Sequence, residues 1–164
     1  GVVALLRTAG VESAMVEIGG EVRCMGRKPD GSGWAIGIET PPPANERGKM
    51  IAQTPQGYQE RVELLNQALA TSGDYRNVAR GDRVNVHHIF DPKAVANPDH
   101  RVRSVSVRAG DCALADALAT AFMVRGPAAC DAVLNALGDP SVAVLFQVEQ
   151  NPPGDEPKLT RVRW

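Results

Sequence analysis

The sequence predicts an α+β domain: a mixed, largely antiparallel sheet with helices packed against it. Three observations carry this. Segments rich in Val and Ile with period-two alternation recur along the chain, among them "SAMVEIGG", "VNVHHIF" and "VRSVSVRAG". Glycine and proline clusters punctuate them at short intervals. Helical patterns are inserted among runs of strands, an order that belongs to α+β architecture and not to a regular βαβ succession. At 164 residues the chain is long enough for one domain with a real core, and it is read as one unit.

The elements follow in order. "GVVALLRTAG" reads as a helix, apolar at Val2, Val3, Leu5 and Leu6, with Gly10 where a C-terminal glycine belongs. It has no basic n-region and no cleavage pattern, so it is not a targeting segment, and its uncapped start suggests the later part of something longer. "SAMVEIGG" alternates through Ala14, Val16 and Ile18 and turns at Gly19-Gly20; "EVRCMG" and "GWAIGIET" read as the next strands, joined by the turn-rich "RKPDGSG" in a hairpin-rich sheet.

"PPPANERGK" is a loop held open by its prolines. "YQERVELLNQALATSG" reads as a strand pair turning near Asn66, with a helix over Glu60 to Ala70 as the alternative. Asp111 to Val124 is a helix, N-capped by Asp111 and stopped by Gly126-Pro127. "AACDAVLNALG" is another, closed by Gly138. "SVAVLFQVEQ" is a continuous apolar strand, "NPPGDEP" a surface turn and "KLTRVRW" a final edge strand.

Composition excludes several classes. Hydrophobic residues make up 43% and charged ones 23%, as in ordinary globular domains, and no apolar run approaches transmembrane length. Eighteen Lys and Arg against 19 Asp and Glu leave a net charge of −1, which supplies no field for nucleic acid. Cys24, Cys112 and Cys130 cannot all pair and lack ligand-like spacing, so they are read as small core residues.

Three clusters could carry chemistry. In "DCALADALAT", Leu114, Ala117, Leu118, Ala121 and Phe122 form the expected core stripe, and Asp116 and Thr120 lie off it, one turn apart. Such an oxygen pair suits Mg²⁺ or Ca²⁺, although two solvated polar residues give the same pattern. In "VHHIFDP", His87 and His88 are adjacent in a strand and point to opposite faces, and a histidine is suited to take a proton near neutral pH. In "ATSGDYRN", Thr71, Ser72 and Asp74 surround Gly73, an ordinary turn whose side chains bond their own backbone, or a cradle for phosphate. Neither a GxGxxG nor a GxxxxGK[ST] motif occurs.

Taken in this order, these segments resemble the FAD:protein FMN transferases, the ApbE-like flavin transferases. "MVEIGGEVRCMG" and "WAIGIETP" look like the family's paired-glycine and Trp-containing strands, "ATSGDYRN" like its TSG segment, "HHIFDP" like its H-I-I-D-P segment, and "SVSVRAGDCALADALATAFMVRG" like its strand running into a D-A-x-x-T helix. The resemblance implies an ApbE-like (T-fold-like) fold and a Mg²⁺-dependent enzyme. Such an enzyme takes FAD as substrate, transfers FMN to a Thr or Ser hydroxyl of an acceptor protein and releases AMP. Carried over residue by residue, Asp116 and Thr120 match the metal pair, His88 the residue that activates the acceptor hydroxyl, and Phe90, Thr71 and Ser72 positions that bind the flavin nucleotide.

The resemblance also implies that residues 1–164 are the C-terminal portion of a single domain, working beside an N-terminal half with a K-G-[FY]-A-[VL]-D-like motif, and that the protein is periplasmic or membrane-anchored facing the periplasm. One departure stands out: "KAVANP" keeps Lys93 and Pro98 but lacks the family's Thr-Gly. Two rival functions remain open on sequence, a Mg²⁺-dependent FAD pyrophosphatase giving FMN and AMP, and a non-catalytic FAD-binding fragment.

Overall fold

A computed structural model describes residues 1–42, 57–75, 78–80, 85–98, 101–150 and 158–164. The "PPPANERGK" loop beyond Pro42, the "NPPGDEP" turn, and Arg76 and Asn77 of "ATSGDYRN" lie outside the described residues.

The fold is α+β, as expected. Strands β1 (Ala14–Ile18), β2 (Glu21–Met25), β5 (Ala68–Gly73), β8 (Val102–Ala109), β9 (Ala143–Val148) and β10 (Lys158–Val162) form one sheet in the order β1-β2-β5-β8-β9-β10. Every neighbouring pair in it is antiparallel. Strands β3 (Trp34–Glu39) and β4 (Tyr58–Leu64) form a separate ribbon, and the short β6 (Val78–Arg80) and β7 (Asn85–His87) another. Helix α1 spans Val2–Thr8, α2 Cys112–Arg125 and α3 Cys130–Leu137.

Alternation along the central strands sends their side chains to two different cores. Ala68, Ala70, Val105, Val107, Ala109, Val144 and Phe146 meet α2 and α3 on one face, where the Phe122 and Phe146 rings sit 6.1 Å apart. Val22, Cys24, Leu69 and Leu145 meet Ile38, Val62 and Leu64 of the β3–β4 ribbon on the other. This explains why β8 and β9 carry near-continuous runs of buried residues.

The chain's hairpins are fewer than its strand order suggests. β1 and β2 pair through Gly19-Gly20 as predicted, but β2 does not pair with β3, and the strands on either side of Asn66 do not pair with each other. Asn66, at φ 54°, instead carries the chain from the ribbon into the main sheet, and its Oδ1 accepts the Gly26 N–H at 2.9 Å. Local alternation reveals a strand but not its partner, because two sheets stacked face to face offer each strand two edges.

Helix α2 begins and ends as read. Asp111 Oδ1 accepts the Leu114 N–H at 3.0 Å, and Gly126 at φ 71° ends the helix. Its buried arc, however, is Ala115, Leu118, Ala119, Phe122 and Met123, so the expected stripe is one residue out of register and Ala117 and Ala121 are exposed. An alanine-rich helix is apolar nearly all round, so periodicity alone does not select its arc. Close packing does, and Ala115 and Ala119 meet the small residues of β5 and β8.

Candidate functional site

The site is organised by five consecutive residues, Thr71 to Tyr75. They are not the self-bonded turn expected: Thr71, Ser72 and Gly73 complete β5, and each polar side chain reaches another element. Thr71 Oγ1 lies 2.7 Å from Ser106 Oγ, its register partner on β8. Ser72 Oγ lies 3.0 Å from Thr120 Oγ1 on α2. Asp74 is buried against Arg103. The Tyr75 ring folds back over Gly73, where any Cβ would come within 2.5 Å of it. Local turn chemistry loses here because β8 satisfies the backbone of this segment.

A consequence for the sequence reading is that Thr71 and Ser72 face opposite sides of the sheet. Ser72 looks to the helices, with Ala68 and Ala70. Thr71 borders a recess of about 440 Å³ on the ribbon side, lined also by Gly19, Gly20, Ile36, Glu39 and Tyr75. The two side chains thus cannot share one pocket on a single face.

On α2, Asp116 and Thr120 stand on one face, both exposed. Asp116 borders a groove of about 560 Å³ whose apolar walls come from Val2 and Ala4 of α1 and Val16 and Ile18 of β1, with Arg23 and Cys112 beside them. Thr120 can donate its hydroxyl proton to Ser72, which leaves both of its lone pairs available. Among the described residues no three His, Cys, Asp or Glu side chains converge on a metal position. The donor set of Asp116 and Thr120 nevertheless fits Mg²⁺, which takes one or two protein oxygens and completes its shell with phosphate and water.

His88 and Phe90 come from the segment after β7, and both are exposed, Phe90 by 46%. The strand expected through "VNVHHIF" stops at His87, so His88 lies in the bend beyond it. Between them Ile89 is buried in the helix-side core with Leu118 and Phe122, which docks the segment on the helix side of the main sheet. Asn97 locks it: its Nδ2 donates to the carbonyls of His87 and Ile89 at 2.8 and 2.6 Å, and its Oδ1 accepts the His87 N–H at 3.1 Å. Asp91 caps the following turn by accepting the Lys93 N–H at 2.8 Å.

Cys24 and Cys130 are buried core residues as read, and burial pushes both thiols up to about 11. Cys112 is half-buried at the groove and is raised by burial as well.

Sequence reasoning missed Arg103, Ser106, Asn97 and the role of Asp74. Arg103 was the detectable one, since an Arg inside an otherwise buried strand needs a partner.

Comparison with known proteins places these features in context. The model of the ApbE family matches residues 1–146. The FAD:protein FMN transferase of Vibrio cholerae serotype O1 is 42% identical over 121 residues, which are 74% of this chain and 33% of its own. That of Haemophilus influenzae is 33% identical over 121 residues, 74% of this chain and 32% of its own. The crystal structure of the apo flavinyl transferase ApbE of Pseudomonas stutzeri superposes with a TM-score of 0.72 at 35% identity, covering 98% of this chain and 44% of that one. The flavin transferase ApbE of Vibrio cholerae gives 0.73 at 37% identity, with 98% and 45% covered. This chain therefore spans about a third of the length of the curated relatives it matches and less than half of the solved structures.

Proposed function

Because the chain belongs to the ApbE family, we propose that it forms part of an enzyme that transfers FMN from FAD to a Thr or Ser hydroxyl of an acceptor protein with the help of Mg²⁺. The observation that carries the reading is the Ser72–Thr120 contact, which sets the TSG strand end against the helix face bearing Asp116.

In this reading Asp116 and Thr120 are the residues that would hold the cation. A bound Mg²⁺ supplies charge neutralisation at the phosphorus under attack. Ser72 would orient the Thr120 hydroxyl by accepting its hydrogen bond, which leaves the Thr120 oxygen free to serve as a ligand. The exposed Phe90 ring offers a face for the flavin to stack on, and Thr71 serves the nucleotide from the ribbon side. His88 accepts the proton of the acceptor hydroxyl as its oxygen bonds to the FMN phosphorus, while the bond from that phosphorus to the bridging oxygen breaks and AMP leaves with that oxygen.

Residues 1–164 would then be the C-terminal portion of one flavin-transferase domain completed by an N-terminal half, and family resemblance favours a periplasmic or periplasm-facing location. Incubating the complete protein with FAD, Mg²⁺ and an acceptor protein tests the activity. Covalent flavin fluorescence on the acceptor is the expected result, and it disappears with chelator. Release of free FMN alone would instead mean that water is the acceptor, and FAD bound but unchanged would leave only a binding role.

A further inference from the structure

Beyond these roles, we propose that the buried Asp74–Arg103 pair is a positioning device that holds Ser72 against Thr120; its effect on catalysis rests on the proposed function, its effect on geometry does not.

Arg103 and Asp74 are 2% and 3% exposed. Arg103 Nε donates to both carboxylate oxygens of Asp74, at 3.0 and 3.1 Å, and its Nη2 donates to the Pro42 carbonyl at 2.9 Å. The Asp74 N–H donates to the Arg103 carbonyl at 3.0 Å. One guanidinium thus ties together the end of β5, the start of β8 and the chain after β3. Arg103 is also the extra residue of a β-bulge: Val102 pairs with Val148 and Ser104 with Gln147, so Arg103 has no partner of its own on β9. Bulges of this kind redirect a side chain and are common beside active sites.

Stability does not explain the pair, because a buried ion pair can often be replaced by apolar groups of similar volume without loss. Placement does. Only Gly73 separates Asp74 from Ser72, and the Tyr75 ring clamps that glycine. On its other side Ser72 is held by the β5–β8 ladder, opposite Val105. With Asp74 released, the last rungs of β5 are free to fray, and the Ser72 hydroxyl leaves Thr120. Thr120 then loses the acceptor that sets its rotor.

The test uses the complete protein and two variants. Arg103→Lys keeps the charge but loses the fork and the Pro42 bond. The double variant D74L/R103M replaces the pair by apolar side chains. Positioning predicts that the double variant melts close to the parent, yet its crystal structure lacks the Ser72–Thr120 contact. Its Mg²⁺ requirement for half-maximal transfer should rise about tenfold, the scale on which residues behind a metal ligand act. Arg103→Lys should show the same kinetic change and the same lost contact. A variant of either kind that keeps the contact and the parent's Mg²⁺ requirement overturns the proposal. If the double variant does not fold, Arg103→Lys decides. If the parent transfers no FMN, the functional reading fails, and the crystal structures of the variants still decide the positioning.

Discussion

Ser72 Oγ and Thr120 Oγ1 lie 3.0 Å apart, although 48 residues separate them along the chain. This contact joins the end of a sheet strand to the exposed face of a helix, so it can be broken at small cost to the fold.

Asp116→Ala should abolish Mg²⁺-dependent FMN transfer and shift stability by less than about 0.5 kcal/mol, since the side chain is exposed. Ser72→Ala should raise the Mg²⁺ requirement for half-maximal transfer about tenfold with the helix intact. Flavin fluorescence of the acceptor and a thermal melt measure the two halves of this expectation. Full transfer by a folded Asp116→Ala protein removes the metal assignment.

Val95 occupies one of the two positions where the resemblance expects Thr-Gly, and it adopts φ 52° and is 81% exposed. A β-branched residue in the left-handed region is strained. Val95→Gly should therefore stabilise the protein by about 1 kcal/mol, the order of that strain. Denaturant titration reads the shift, and a loss of stability would mean that the exposed valine contributes something else.

The glycine at 26 is required on two grounds: φ is +62°, and a Cβ would stand 2.3 Å from the Glu12 carbonyl oxygen. Gly26→Ala should cost about 2 kcal/mol or more, since backbone must move to admit the methyl group. Equal melting of variant and parent would contradict the tight corner between Glu12 and β2.

Stability should fall as the solution becomes alkaline. Burial raises the thiols of Cys24 and Cys130 from 9.0 to about 11, so in the folded chain they stay protonated where the unfolded chain has lost its protons. The contribution is complete below the unfolded value near pH 9 and is lost as pH rises toward 11. A Cys24→Ala/Cys130→Ala protein should show a flatter profile across that window. A parent profile already flat there would sink the assignment.

The parts of this fold that were legible in sequence are those fixed by local chemistry. Asp111 caps, Gly126 and Gly138 stop, and the Gly19-Gly20 turn follows from neighbouring residues alone. Strand partners were not legible, because β2 and β3 alternate alike and β5 is apolar on both faces through Ala68–Ala70, while two sheets compete for them. The site divides the same way. Asp116 and Thr120 could be placed on one helix face by spacing, whereas the partners of Thr71, Ser72 and Asp74 lie 35, 48 and 29 residues away, beyond any local rule.

The back-to-back arrangement of Thr71 and Ser72 limits what a single molecule can do here. One strand's thickness of backbone stands between the two hydroxyls, so a molecule gripping both has to bend around the rim of the sheet. The Gly19-Gly20 corner shares the Thr71 recess and adds no side chain to it.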